Sequence, residues 1–186
     1  SNFAYVRGTD RLVEIAECLK KLGHSDILFI VAGDMNLPKS ILTKLNHSVG
    51  DGRTLQDVAK EHHVDDMFCF TGHVSNPESL LAGCDLAIKP TRENNPWGRD
   101  IIEALGSGIP VASVGTYDRF VQTGETGLLQ SEFDPWKMAY WILHLKNDPG
   151  LRARLGRKAQ ERIRKLCDPD SGAASLSKIW RETAQS

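Results

Sequence analysis

Ile27-Leu28-Phe29-Ile30-Val31-Ala32-Gly33-Asp34 is a run of six apolar residues stopped by Gly-Asp. Successive side chains of a strand point to opposite faces, so a run that is apolar at every position predicts burial on both faces, as in the central strands of parallel sheets. The pattern repeats outward. Phe3-Ala4-Tyr5-Val6 predicts a short strand, and Asp10 a helix start running to about Leu22, with Leu12, Ile15, Ala16, Leu19 and Leu22 on one face and Gly23 as its end. Residues 39–63 are helical in pattern, interrupted by Gly50-Asp51-Gly52. Met67 to Thr71 predicts a strand closed by Gly72, Pro77 the first turn of a helix ending near Gly83, and Leu86-Ala87-Ile88 a strand running into Pro90. A polar loop from Thr91 to Pro96 leads to a helix from about Gly98 to Leu105, then strands at Pro110–Val114 and Thr126–Leu129. From Asp134 the pattern is helical only, broken at Asp148-Pro149-Gly150 and around Asp168-Pro169. Strands alternating with helices predict βαβ units and a mostly parallel sheet, on which the late helices pack.

A chain of 186 residues predicts one domain. Its 40% hydrophobic and 25% charged residues are ordinary globular usage, which excludes disorder, a collagen-like fibre and a coiled coil. With 23 Lys and Arg against 24 Asp and Glu, the net charge of -1 excludes the basic footprint of a bulk nucleic-acid binder, though not a local anion site. Cys18, Cys69, Cys84 and Cys167 form no CxxC pair and none has a His at metal-ligand spacing, so they are expected as buried small hydrophobes in a reducing compartment. No apolar run reaches the roughly 20 residues of a membrane span, and no signal peptide is recognisable. The chain opens on Ser1-Asn2 without Met. The expectation is a cut start with residues 1–2 as a cloning remnant and a single domain over residues 3–186.

In open α/β sheets, ligands bind outside the carboxyl ends of the strands. That rule selects Arg7-Gly8, Gly33-Asp34, Gly72-His73-Val74, Pro90 to Arg99, and Gly115-Thr116. Gly at such turns lets backbone N–H groups approach an anion, which points to a phosphate-containing ligand. The most informative stretch is Pro90-Thr91-Arg92-Glu93-Asn94-Asn95-Pro96-Trp97-Gly98-Arg99-Asp100-Ile101-Ile102-Glu103-Ala104-Leu105-Gly106-Ser107-Gly108-Ile109-Pro110-Val111. Glu103 is either a solvated helical carboxylate or one oriented by the helix to accept two hydroxyl hydrogen bonds, as a ribose diol offers.

This run resembles the C-terminal, nucleotide-sugar donor-binding half of the retaining GT-B glycosyltransferases of the group 1 or family 4 type. Pro90-Thr91, Gly98, Glu103-Ala104, Gly108 and Pro110-Val111 match the family pattern in order. Gly115 followed by Gly124-Glu125-Thr126-Gly127-Leu128-Leu129 resembles its next signature, and Arg7-Gly8-Thr9-Asp10 its Lys-Gly-x-Asp element. Gly33, Thr71-Gly72-His73-Val74 and Asp85 also fit, so the resemblance spans about residues 3 to 165. It implies a Rossmann-like three-layer αβα sandwich, one half of a GT-B fold, carrying extra C-terminal helices.

The resemblance further implies roles. Arg7, beside Gly8, takes the diphosphate, for which a guanidinium fork is apt. Glu103 takes the ribose, His73 and Val74 the base, and the amides near Gly98 and Arg99 the sugar and diphosphate. Gly115-Thr116 stands where the family has Gly-Gly near the donor. Two positions depart from the pattern. The first residue of the family's acidic pair falls on Asn95, with Glu93 two residues earlier, so either Glu93 swings into place or Asn95 substitutes. A second basic residue about five positions before Arg7 falls on Asn2. The implied reaction is transfer of a hexosyl group from a UDP-, GDP- or ADP-sugar with retention, without a metal, by an enzyme placed in the cytoplasm or peripherally at the inner membrane. The acceptor-binding N-terminal domain is expected to lie outside this chain, which alone is expected to be inactive. A non-catalytic nucleotide-binding module of the same fold is the alternative, as is a related sugar-nucleotide epimerase or a phosphorylase. Trp97 is expected beneath the loop or as a sugar platform, and Trp136, Trp141 and Trp180 in core or interdomain packing. The cluster Arg152, Arg154, Arg157, Lys158, Arg162, Arg164 and Lys165 is expected as a solvated, membrane-facing or phosphate-binding face.

Overall fold

The structure is a computed structural model that describes residues 5–33 and 54–184. Phe3, Ala4, Asp34 and most of the interrupted helical pattern, Gly50-Asp51-Gly52 included, lie outside the described residues.

Strand β1 (Phe29–Ala32) pairs in parallel with β2 (Phe68–Gly72), Phe29 opposite Phe68. Strands β3 (Ala87–Lys89), β4 (Val111–Val114) and β5 (Gly127–Gln130) form a second sheet in that order, again all parallel. The described helices are α1 (Arg11–Lys21), α2 (Leu55–Glu61), α3 (Pro77–Ala82), α4 (Arg99–Gly106), α5 (Pro135–Asn147), α6 (Pro149–Leu166) and α7 (Pro169–Ala184). Four of them begin in the same way. Pro takes the first turn of α3, α5, α6 and α7, and Asn76, Asp134, Asp148 and Asp168 accept from the N–H of Ser79, Lys137, Leu151 and Ser171. Pro lacks an N–H that would have gone unpaired there, and the cap satisfies one of the others.

All four residues of β4 are buried, and their alternation defines the layers. Ala112 and Val114 join a core with Phe29, Val31, Phe68 and Leu128, covered by Leu12, Ile15 and Leu19 of α1 and Met138, Ala139 and Ile142 of α5. Val111 belongs to a second cluster with Ile101, Ala104 and Leu105 of α4 and Ala159 and Ile163 of α6. Helices therefore cover both faces of parallel strands, the αβα sandwich the sequence predicts.

Several expectations need correction. Tyr5–Arg7 is a 3-10 turn, not strand. The Val6 carbonyl accepts from the Arg92 N–H and the Thr91 hydroxyl, both at 2.8 Å, so the Pro90 loop takes up backbone that a strand ladder would use. Among the described residues the strands form two parallel ladders, β1-β2 and β3-β4-β5, on a shared core. In β1 the Phe29 and Val31 face is buried, while Ile30 is 38% exposed, so burial on both faces does not hold among the described residues. Helix α7 has no buried residue and presents Leu176, Ile179 and Trp180 to solvent; Trp136 is also exposed, and only Trp141 of the three late tryptophans packs against the core. Cys69 and Cys167 are exposed rather than buried.

Candidate functional site

The site is assembled by two loops fastened together at the carboxyl ends of the strands. Asp10 precedes α1 at the capping position, yet its side chain caps nothing. It is 5% exposed and receives the Arg92 guanidinium on both oxygens, one bond measuring 2.7 Å. Arg11 donates to the carbonyls of Pro90 and Thr91 at 3.1 and 2.8 Å, with its guanidinium 4.4 Å above the Phe133 ring. Gly8, buried with φ +67°, lies so close to the Pro90 loop that a Cβ would sit 2.0 Å from the Pro90 carbonyl oxygen. These contacts fix Arg7 beside the N-terminus of α4, where its Nη1 is 3.6 Å from Asp100 Oδ2.

The other flank is held by Asn94. Its Oδ1 accepts from the Thr116 N–H and its Nδ2 donates to the Thr116 hydroxyl, both at 2.7 Å. A Cβ on Gly115 would lie 2.7 Å from that same Oδ1. Three of the five predicted loops, at Arg7-Gly8, Pro90 to Arg99 and Gly115-Thr116, are thus brought together. The other two adjoin each other, the Gly33 N–H donating to the Gly72 carbonyl at 2.7 Å. Beyond Gly72, His73 is exposed and Val74 half-buried.

Gly98, at the capping position before helix α4, has φ +132°. Lys89, the last residue of β3, sends Nζ to the Trp97 carbonyl at 2.6 Å and to Asp100 Oδ1 at 3.1 Å. Glu103 stands one turn further along, half-exposed, 3.8 Å from the Nε of the exposed Arg99. Glu93 is exposed, whereas Asn95 is half-buried with its N–H on the Glu93 carbonyl at 2.6 Å. The Asn95 Oδ1 is buried without a hydrogen-bond partner among the described residues. Trp97 is 51% exposed, so it does not lie beneath the loop as expected.

Arginine and lysine at a helix N-terminus favour an anion, since the helix end adds partial positive charge and unpaired N–H groups. A carboxylate on the next turn can accept hydroxyl hydrogen bonds. Elsewhere the chemistry is quiet. Burial pushes the Cys18 and Cys84 thiols up, away from the reactive thiolate. Among the described residues no group of His, Cys, Asp or Glu is placed to hold a metal ion, and no helix is long and apolar enough to cross a membrane. The basic cluster on α6 is partly committed within the chain: Arg152 to Asp85 and the Leu145 carbonyl, Lys158 to Glu125, and Arg162 to the Arg119 carbonyl. Sequence reasoning missed Asn94, Lys89 and Asp100. The signal for Lys89 was available, as a cation closing the apolar run Leu86-Ala87-Ile88 at the ligand edge.

Parallel strands covered by helices on both faces, with glycine turns and cations at their carboxyl ends, define a Rossmann-like α/β domain. The chain belongs to the family of glycosyl transferases group 1, whose model matches residues 1–162. It is 31% identical over 120 residues to the N-acetyl-alpha-D-glucosaminyl L-malate synthase of Bacillus anthracis, a match covering 62% of this chain and 31% of that protein. It is 34% identical over 111 residues to the D-inositol 3-phosphate glycosyltransferase of Corynebacterium efficiens, covering 57% and 26%. The chain spans about a third or less of the length of these curated relatives. In fold it is similar to a sucrose-phosphate synthase from Thermosynechococcus elongatus, with TM-score 0.75, 21% identity, and 99% of this chain and 44% of that one covered. It is similar also to Anabaena HepE in complex with UDP-glucose, with TM-score 0.74, 22% identity, and 96% and 47% covered.

Proposed function

We propose that this chain is the donor-binding part of a glycosyltransferase that moves a hexosyl group from a UDP-, GDP- or ADP-sugar to an acceptor with retention at the anomeric carbon. The observation that carries the reading is the fastening of Arg7 beside the N-terminus of α4, one turn from Glu103. Membership of the family and the names of the relatives support it. In this reading Arg7 and the amides at Gly98 and Arg99 stabilise the diphosphate as its negative charge grows, by charges and dipoles already in place. Glu103 accepts from the ribose diol, exchanging its long contact with Arg99 for two hydroxyl hydrogen bonds. Val74 and His73 border the base, and Thr116, held by Asn94, borders the donor.

Asn95 takes the sugar-facing position and Glu93 stays in solvent. A buried amide oxygen without a partner is costly to leave so, and a sugar hydroxyl would satisfy it once donor binding opens the loop around it. An amide cannot offset developing positive charge as a carboxylate does. That same substitution favours a second reading, a nucleotide-binding module of this fold without activity.

The acceptor and the remaining catalytic groups come from a partner domain outside these residues. The chain alone should therefore bind a donor nucleotide and transfer no sugar. Calorimetric titration with uridine, guanosine and adenosine diphosphates tests the reading, and it fails if none binds at millimolar concentration. Glu103→Gln should weaken the nucleotide that binds by about 1–3 kcal/mol, the order for a hydrogen bond to a charged group. Unchanged affinity would remove Glu103 from the ribose site.

A further inference from the structure

We propose that Lys89 is a second phosphate-holding cation of this site, supplied by β3 and standing beside Arg7. The inference rests on the donor-site reading and adds a residue that the family resemblance does not supply. The Lys89 side chain is only 14% exposed. A lysine so nearly enclosed needs partners, because its charge is costly to desolvate. It finds a neutral carbonyl, that of Trp97, and one oxygen of Asp100, whose other oxygen faces Arg7. An ammonium carries three donors. Two are used, and the third has no partner among the described residues.

Position supports the same conclusion. Lys89 ends a parallel strand, so its ammonium lies on the sheet edge where ligands bind in this class of fold. It lies against the N-terminus of an eight-residue helix, whose partial positive charge adds to its own. Glycine keeps this corner open. A Cβ at position 98 would lie 3.1 Å from Lys89 Nζ and 2.8 Å from Asp100 Oδ1, covering both. Asp100 is then the positioning residue. One carboxylate reached by both Lys89 and Arg7 sets the two cations on either side of a single small anion, the arrangement a diphosphate with several charged oxygens would bridge. Trp97 contributes its backbone carbonyl rather than its ring.

The test compares the unaltered chain with Lys89→Met, Lys89→Gln and Lys89→Arg, each checked for an intact melting transition. The probes are inorganic pyrophosphate, the three nucleoside diphosphates and the matching nucleosides, titrated calorimetrically. The expected result is a loss of about tenfold or more in affinity for pyrophosphate and for the binding diphosphate in the Met and Gln variants, the order for a lost charge-assisted hydrogen bond. Nucleoside affinity should stay unchanged, and Arg should restore most of the loss. A structural role alone, bracing the loop through the Trp97 carbonyl, would weaken nucleoside and diphosphate alike and would overturn the proposal. So would Lys89 variants that bind diphosphate normally while Arg7→Met does not, a result that leaves the donor-site reading standing. If the unaltered chain binds pyrophosphate through Lys89 but no nucleotide, the cation site stands and the donor reading falls. If it binds neither, both fall. Should no variant fold, protection of Lys89 from acetylation by pyrophosphate in the unaltered chain decides the matter, and no protection overturns it.

Discussion

Arg92→Met is expected to lower the unfolding free energy by about 3–5 kcal/mol, a large share of a small domain's total. An exposed ion pair would be worth about 1 kcal/mol at most, and the difference here is burial. The Asp10 side chain is 3% exposed and that of Arg92 16%, and both nitrogens of the fork reach the carboxylate. Removing the guanidinium leaves a negative charge inside the protein, without its cation and too enclosed for water to replace it. Changing both partners together, Asp10→Leu with Arg92→Met, should recover most of the loss, since no lone charge is then left behind. Urea unfolding of the two single variants and the double variant measures the coupling directly. Purely additive effects, or a cost near that of a surface pair, would show that the pair does not hold the loops together. In the proposed donor-site reading the pair should also matter for binding, because the Arg92 N–H and the Thr91 hydroxyl grip Val6, next to Arg7. The residual folded fraction of Arg92→Met should therefore bind nucleotide more weakly, though no altered side chain touches the ligand.

The elements that local pattern controls were legible in the sequence. Pro77, Pro135 and Pro149 mark helix starts that the structure shows capped by Asn76, Asp134 and Asp148. The loops at the carboxyl ends of the strands were also legible, because the glycines that turn the chain there are visible without knowledge of what they approach. What was hidden depends on partners far along the chain. Asp10 has the sequence context of a cap, and only the arrival of Arg92, 82 residues later, diverts it into an ion pair. Tyr5 and Val6 look like strand residues until the Pro90 loop captures the Val6 carbonyl. The Asn94 clamp on Thr116 and the contact of Lys89 at the end of β3 with Asp100 in α4 are likewise meetings between separate segments, on which periodicity is silent. At the first acidic position of the pattern, spacing from Glu103 left Asn95 and Glu93 open, and only the fold shows Asn95 half-buried with an unpartnered oxygen while Glu93 is exposed.

Gly8→Ala should cost more than its backbone angle alone explains, and Gly124 supplies the comparison. Both glycines have left-handed backbone, φ +67° and +79°. A non-glycine residue there costs about 1–2 kcal/mol. At Gly124 an added Cβ meets nothing within 4 Å, so Gly124→Ala should show that conformational cost by itself. At Gly8 the Cβ would fall 2.0 Å from the carbonyl oxygen and 3.0 Å from the carbonyl carbon of Pro90, and 3.2 Å from Arg11 Cδ. Those first two atoms are backbone and cannot rotate aside, so the loops must part. Parting them breaks the Arg11 bonds to the Pro90 and Thr91 carbonyls and strains the Val6 contacts, each a hydrogen bond worth about 1 kcal/mol. Gly8→Ala should thus destabilise the chain by about 2 kcal/mol or more beyond Gly124→Ala, in the range reached by overpacking. Because Arg7 adjoins this contact, the variant should also lose diphosphate affinity by about tenfold, while Gly124→Ala keeps it. Equal stability losses for the two variants in urea unfolding would mean that the close approach of the first loop to Pro90 is absent. In that case the packing of its own loop does not fix Arg7 beside α4.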